Sequence, residues 1–361
     1  MYNNAALEEL RSSIRDVLEN ECPIDLVQAH LKSGHAYDAV LWRKVAELGW
    51  LGLAIDEHHD GLGLGIDALA VLYQELGRSV APVPVLGTLL AADAIGALAD
   101  ERQKHHWLPQ LISGDLRAAL SDPAAAPVAA LEREDGSVAV SGRWTDVLDG
   151  AAADVFLLLV ELKGRTGFLV AERDGPGVSA ENFPVADLTR GLAHVSIKNQ
   201  IFPRAQVLIA GDYGQAKNRL LSHAAIAVTA DAVGGAAAIL ESTVEYLKIR
   251  EQFGRPIGSF QALKHRAADH KAALVGATAL FEDVAARAAL DQATRSDVLE
   301  AKALAVSVSA GISQDCVQLH GGVGYTWEFR PHIYLKRALL NAVLFGTVEQ
   351  NLDESVIALA A

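Results

Sequence analysis

The sequence predicts a multidomain α+β chain: an N-terminal helical domain, a middle β domain and a C-terminal bundle of long helices. Three observations carry this. Apolar residues recur at helical spacing over residues 1–115, in Leu7, Leu10, Ile14, Val17 and Leu18, then in Val40-Leu41-Trp42 with Val45 and Leu48. Over 116–208 the period shortens to brief apolar runs divided by glycine turns. Over 212–361 only two prolines, Pro256 and Pro331, punctuate the chain.

In the first zone a loop, Gly61-Leu-Gly-Leu-Gly65, interrupts the helices, Asp67 starts another, and Pro82 and Pro84 mark a turn before the alanine-rich run 86–99. In the second zone Val138-Ala-Val140, Val155 to Val160, Phe168-Leu-Val170 and Val195-Ser-Ile197 read as strands. Asp135-Gly136, Lys163-Gly164 and Asp174-Gly-Pro-Gly177 supply the turns between them. In the third zone Arg219 to Arg250 reads as one helix of about 48 Å. Its centre is alanine and glycine (Ala224, Ala225, Ala227, Gly234, Gly235), small enough for close contact between helices. The run breaks at Phe253-Gly254 and Pro256 and resumes as a second long helix. With one or two more, these make an antiparallel four-helix bundle.

Several function classes drop out. A formal charge of −14 argues against nucleic acid, which wants a basic stripe, while a local cluster of cations still suits an anionic cofactor. No apolar run reaches membrane-spanning length; the richest, Asp154-Val-Phe-Leu-Leu-Leu-Val160, has the length of a buried strand. Met1-Tyr-Asn-Asn opens no secretory signal, and the two cysteines, Cys22 and Cys316, are far apart; together these predict a cytoplasmic protein. The pairs His58-His59 and His105-His106 are adjacent, so their side chains diverge, and no metal site is expected. Gly61-x-Gly-x-Gly65 lacks the spacing of a dinucleotide fingerprint.

One stretch says more than the rest: Arg250-Glu-Gln-Phe-Gly-Arg-Pro-Ile-Gly-Ser-Phe-Gln-Ala-Leu-Lys-His265. It joins the two long helices and offers a cation, amide side chains and an aromatic face. Further on, Gln318-Leu-His-Gly-Gly-Val-Gly-Tyr-Thr326 places consecutive glycines at a helix end, where backbone amides approach an anion unhindered by a Cβ. The first stretch resembles the inter-helix connection of the acyl-CoA dehydrogenases, and the second resembles that family's other FAD segment. Gly346-Thr-Val-Glu349 is similar to its Gly-Thr-x-(Glu/Gln) motif. The order of helices, β domain and long-helix bundle is also the family's. The resemblance implies FAD as cofactor, with Arg250, Gln252, Phe253 and Gln261 on the diphosphate and adenosine of a neighbouring subunit. It also implies Gln318, Gly321 and Gly322 along the diphosphate, and Thr347 and Glu349 beside the cofactor.

The flavin-ring end departs from the family. Where the family has Thr-Glu-Pro-x-x-Gly-Ser, this chain reads Leu120-Ser-Asp-Pro-Ala-Ala-Ala126, so Ser121 takes the threonine's place and the Gly-Ser is missing. In the next motif, the tryptophan and threonine positions hold Asp146 and Leu148, with Trp144 and Thr145 displaced and read as structural. The family's base, which removes the proton α to the thioester, sits either just before Gly-Thr or early in the long helix. Those positions are Phe345 and Ala224 here, so no catalytic residue is assigned. The acids Asp231 and Glu241 read as surface or cap charges, and Glu328 as a remote candidate.

Two readings follow from the resemblance, both of a fatty-acid or steroid side-chain type of acyl-CoA oxidation. In the first, this chain is a base-lacking subunit that completes the FAD site of a catalytic paralogue. In the second it is a self-sufficient homo-oligomeric FAD-dependent dehydrogenase or oxidase with a relocated base.

Overall fold

In the computed structural model, residues 4–360 are described; of the N-terminal reading, Met1, Tyr2 and Asn3 lie outside them. The helices preceding the sheet are α1 (Asn4–Glu21), α2 (Ile24–Ser33), α3 (Ala39–Glu47), α4 (Ile66–Arg78), α5 (Val85–Leu98) and α6 (Glu101–Ile112). Strands β1 (Ala118–Leu120), β2 (Val128–Glu132), β3 (Val138–Leu148), β4 (Val155–Leu162), β5 (Arg165–Glu172), β6 (Val178–Phe183), β7 (Leu192–Phe202) and β8 (Val207–Leu208) follow. Then come α7 (Tyr213–Ile249), a hairpin of β9 (Glu251–Gln252) and β10 (Arg255–Pro256), α8 (Gln261–Ala288), α9 (Arg295–His320), α10 (Pro331–Asn341) and α11 (Val348–Ala360). The chain has two compact units. One contains the described residues up to Lys32, Ile66–Ala81 and everything from Ala225 onward; the other contains Ser33–Gly65 and Pro82–Ala224.

The second unit is built on an eight-stranded sheet in the order β6-β7-β3-β2-β4-β5-β8, with β1 also on β4. Most pairs are antiparallel; β1 and β2 run parallel to β4 and share one of its edges in succession. Residues 155–160 of β4 are buried without alternation, as expected of a central strand covered on both faces. Phe156, Trp144 and Ile197 lie in one apolar cluster of the sheet. The sequence reading found β3, β4, β5 and β7 and missed β1, β2, β6 and β8. Those four are short, and β6 is largely exposed, so their apolar pattern is weak.

The first unit is helical, with α9 packed by α8, α10 and α11. At 37 residues α7 is about 55 Å long. It is the one described helix long and apolar enough to cross a membrane by length and composition, which the sequence reading did not register. However, 83% of its most apolar window is buried inside the protein, as in a core helix. The small residues expected to allow close contact do so. A Cβ on Gly234 would fall 2.0 Å from the Gln74 carbonyl oxygen, and one on Gly77 2.3 Å from that of Asp231, so α4 and α7 cross backbone to backbone.

That crossing needs its charges matched. Glu75 of α4 is 1% exposed and takes a bidentate contact from Arg15 of α1 at 2.9 and 2.8 Å. Asp231, expected at the surface, is a correction: its side chain is 3% exposed. Arg337 of α10 reaches it through Nη2 at 2.6 Å and Nε at 3.1 Å, and Asn341 Nδ2 donates at 2.7 Å. Glu241, by contrast, is half-exposed and pairs with Arg78. Removing Asp231 would take its carboxylate partner from the buried Arg337 guanidinium. Asp231→Ala is therefore expected to cost about 3–5 kcal/mol of stability, measured by urea unfolding.

Candidate functional site

The connection between α7 and α8 is a two-residue hairpin. Gln252 pairs with Arg255, and the residues between them, Phe253 and Gly254, have φ of 55° and 75°. Two successive positive φ values are those of a type I′ turn, which normally takes Asn or Gly first. Phe253 fits neither the backbone nor the packing: it is 92% exposed, touching Phe260 edge-on at 6.2 Å between centroids. Arg255 lies over the Phe260 ring at 4.1 Å. Arg250, Gln252 and Gln261 are exposed around the same turn.

Gln318 to Gly322 form the end of α9 and the 3-10 turn after it. Gly321 caps the helix with φ 67°. At Gly322 a Cβ would meet nothing within 4 Å, so the chain's own packing does not require a glycine there. His320 in this run is structural: it stacks on Tyr246 at 4.3 Å, and its Nδ1–H donates to the Cys316 carbonyl at 2.8 Å. Burial lowers its pKa, which keeps the ring neutral. Tyr246 also accepts from the Arg250 amide at 2.9 Å. The Tyr246–His320 stack therefore brings Arg250, the hairpin and Gln318–Gly322 to one end of the helical unit. Nearby, an open groove of about 880 Å³ is lined by Gln318, Tyr325, Arg266, His270 and Asp315 among others. Asp315 there accepts from His270 Nε2 at 2.8 Å and Arg266 Nε at 3.0 Å. Glu328 is exposed, with Trp327 beside it edge-on to His332.

Thr347 and Glu349 are elsewhere. Thr347 caps α11, its Oγ1 accepting from Gln350 N at 3.3 Å while its own amide donates to Gln350 Oε1 at 2.8 Å. The residues before it are fastened to α9 by Lys302, which is fully buried. Its Nζ donates to the carbonyls of Leu344, Phe345 and Gly346 at 2.7, 2.8 and 2.9 Å. Burial draws the Lys302 pKa down to about 7, and three acceptors matching the three donors of an ammonium oppose that. This bracing holds Phe345, at a family base position, in a left-handed conformation with φ 54°. Lys302 and Gln318 are separated by about 24 Å along α9. The structure thus separates Thr347 and Glu349 from the hairpin end instead of gathering all three segments.

In the sheet unit, Ser121 is 2% exposed and its Oγ accepts from Leu159 N at 2.8 Å, filling the gap on β4 between β1 and β2. Trp144 is buried with Nε1 bonded to the Leu159 carbonyl at 2.9 Å, the structural role expected of it. A bulge in β3 between Trp144 and Val147 leaves Asp146 at φ 55° and Leu148 buried. Ala224 is buried. The residue before it, His223, pairs with Asp93 of α5 at 3.0 Å. Burial pushes the Asp93 carboxyl up, but His223 and Arg219 outweigh it and hold the pKa below the usual carboxylate range.

The sequence reading missed Lys302, Asp315 and the His223–Asp93 pair. Only Lys302 left a local trace, as a lone charge between Ala301 and Ala303 on a buried helix face. The outer end of FAD fits what is present at the hairpin: an exposed aromatic, an arginine and an unobstructed glycine turn. The ring end fits poorly, since Leu148 donates no hydrogen bond and Ser121 is buried at 2% exposure. Lys302→Met keeps the volume but leaves three carbonyls without their donor. It is expected to cost about 2–4 kcal/mol, read by chemical denaturation, with the Phe345-Gly346 loop becoming accessible to hydrogen exchange.

Comparison with known proteins agrees with this geometry. Residues 4–115 match the family model "Acyl-CoA dehydrogenase, N-terminal domain" and residues 213–356 match "Acyl-CoA dehydrogenase, C-terminal domain". The acyl-CoA dehydrogenase IpdE2 of Mycolicibacterium smegmatis is 31% identical over 346 residues, covering 96% of each chain. Among solved structures, a chain of the ChsE4-ChsE5 complex from Mycobacterium tuberculosis is 26% identical, with TM-score 0.90 over 99% of this chain and 98% of that one. A chain of the Tcur3481-Tcur3483 steroid ACAD is 28% identical, with TM-score 0.86 over 99% and 98%. Two matched domains on either side of the sheet, and one relative alike along nearly the whole length, establish that this chain belongs to the acyl-CoA dehydrogenase family.

Proposed function

We propose that this chain is a subunit of an FAD-dependent acyl-CoA dehydrogenase that completes the FAD site of a catalytic paralogue and does not itself remove the substrate's α-proton. Bound FAD would supply hydride acceptance from the β-carbon. The observation that carries the reading is Phe253, a large apolar ring held in a glycine-like turn conformation and almost fully exposed. Such a position makes sense when another molecule covers the ring. Arg250 beside it supplies a charge-assisted bond to phosphate, and Gly322, with no Cβ and open space around it, lets the backbone approach it closely.

The remaining features agree with a subunit that assists. Ala224 and Phe345 carry no acid at either family base position. The two neighbours above are named as pairs of components, one of them as a steroid ACAD, and a bulky steroid side-chain thioester is the substrate class proposed here.

Expressed alone, the chain is expected to hold little flavin and to show no bleaching on adding acyl-CoA. Co-expression with a paralogue that carries the base should restore both. Full FAD occupancy with turnover by the lone chain would sink the proposal. A second prediction separates cofactor contact from folding. Gly322→Val should leave the isolated chain's thermal midpoint within about 2 °C of the parent, a surface-substitution effect. In the co-purified complex it should lower flavin retention roughly tenfold, measured by flavin absorbance against protein mass.

A further inference from the structure

We propose that His59, Glu101 and His105 form a binding site for one borderline divalent transition-metal ion of the zinc type. Within each adjacent histidine pair the side chains diverge, but the fold brings together one member of each. One candidate ligand atom from each of these three residues lies within 4.8 Å of the other two. His59 ends a 3-10 turn, Glu57–His59, fixed by Asp56, whose Oδ1 accepts from His58 N at 2.8 Å. Glu101 and His105 are one turn apart on α6, whose start is set by a capping box between Asp100 and Gln103.

The ring orientation suits ligation. His105 Nδ1 is 2.6 Å from the Glu101 carbonyl oxygen, which only accepts, so Nδ1 is the donor there and Nε2 is the ring nitrogen left to face an ion. A main-chain carbonyl on the far ring nitrogen is the usual support of a metal-bound histidine. His59 Nε2 lies 3.6 Å from Glu101 Oε2, close to the ligand–ligand edge of about 3.3 Å that zinc's bond lengths produce in a tetrahedron. His59 is held near His105 edge-to-face at 5.1 Å, and its Nδ1 is buried without a hydrogen-bond partner. Glu101 and His105 are exposed, so ordinary rotamer changes close the remaining distance.

Two imidazoles and a carboxylate, with no thiolate, select Zn²⁺, Co²⁺ or Ni²⁺ over Ca²⁺ and Mg²⁺. Water completes the coordination. The bound ion clips the 3-10 turn and the Gly61–Gly65 loop after it to the first turn of α6. One group opposes this: Lys104 Nζ is 2.9 Å from Glu101 Oε1 and competes for the carboxylate. This site is independent of the flavin reading.

The test uses the full chain with any affinity tag removed, stripped with chelator and titrated with Co²⁺ and Zn²⁺. Expected are one Co²⁺ per chain with visible ligand-field bands and displacement by Zn²⁺. His59→Ala and His105→Ala should each weaken binding roughly tenfold or more, and Lys104→Ala should strengthen it. His58→Ala and His106→Ala, their sequence neighbours, should leave it unchanged. Absence of saturable one-to-one uptake, or equal loss in the two neighbour variants, overturns the site.

Discussion

The carboxylate of Asp231 is a buried charge on which α4, α7 and α10 of the helical unit converge. It sits where α4 and α7 cross at backbone distance, and Arg337 and Asn341 of α10 both close on it. A buried ion pair adds little net stability over an apolar pair of the same shape, because desolvation consumes most of the attraction. What it adds is register: only one rotation of α10 satisfies two donors on one carboxylate. Lys302 of α9 acts in the same way, pinning three successive carbonyls before α11. Two buried charges thus set the positions of two helices.

Those positions make α9 a spacer. At one end it carries Gln318 to Gly322, tied by the Tyr246–His320 stack to the hairpin with Phe253. About 24 Å along it is the loop with Phe345 and Thr347. Segments that the family associates with one cofactor are thus far apart in a single chain. The exposed ring of Phe253 is a local cost at the hairpin end, since a positive φ and an uncovered aromatic are both unfavourable.

Much of this was legible in one sequence. Helical spacing predicted α1 and α3, Asp67 marked the start of α4, and the long proline-free run predicted α7. The Phe253-Gly254 break marked the hairpin, because a two-residue turn with glycine second leaves a local chemical trace. Lys163-Gly164 marked the β4–β5 turn for the same reason, with φ of 52° and 75°. The weak edge strand β6 was not legible, since half-exposed strands lack a sharp alternation.

By itself, then, the sequence determined the order of elements, the turns and the family, all of which depend on neighbours a few residues apart. Only the tertiary structure decided the fate of individual polar groups. Asp231 reads like any helix-surface acid until α10 lands on it, and the oxygen of Ser121 bridges a gap between β1 and β2 that no local pattern announces. His59 and His105 meet across 46 residues of chain (105 − 59). Burial and partnership depend on where distant segments pack, and local periodicity carries no information about that.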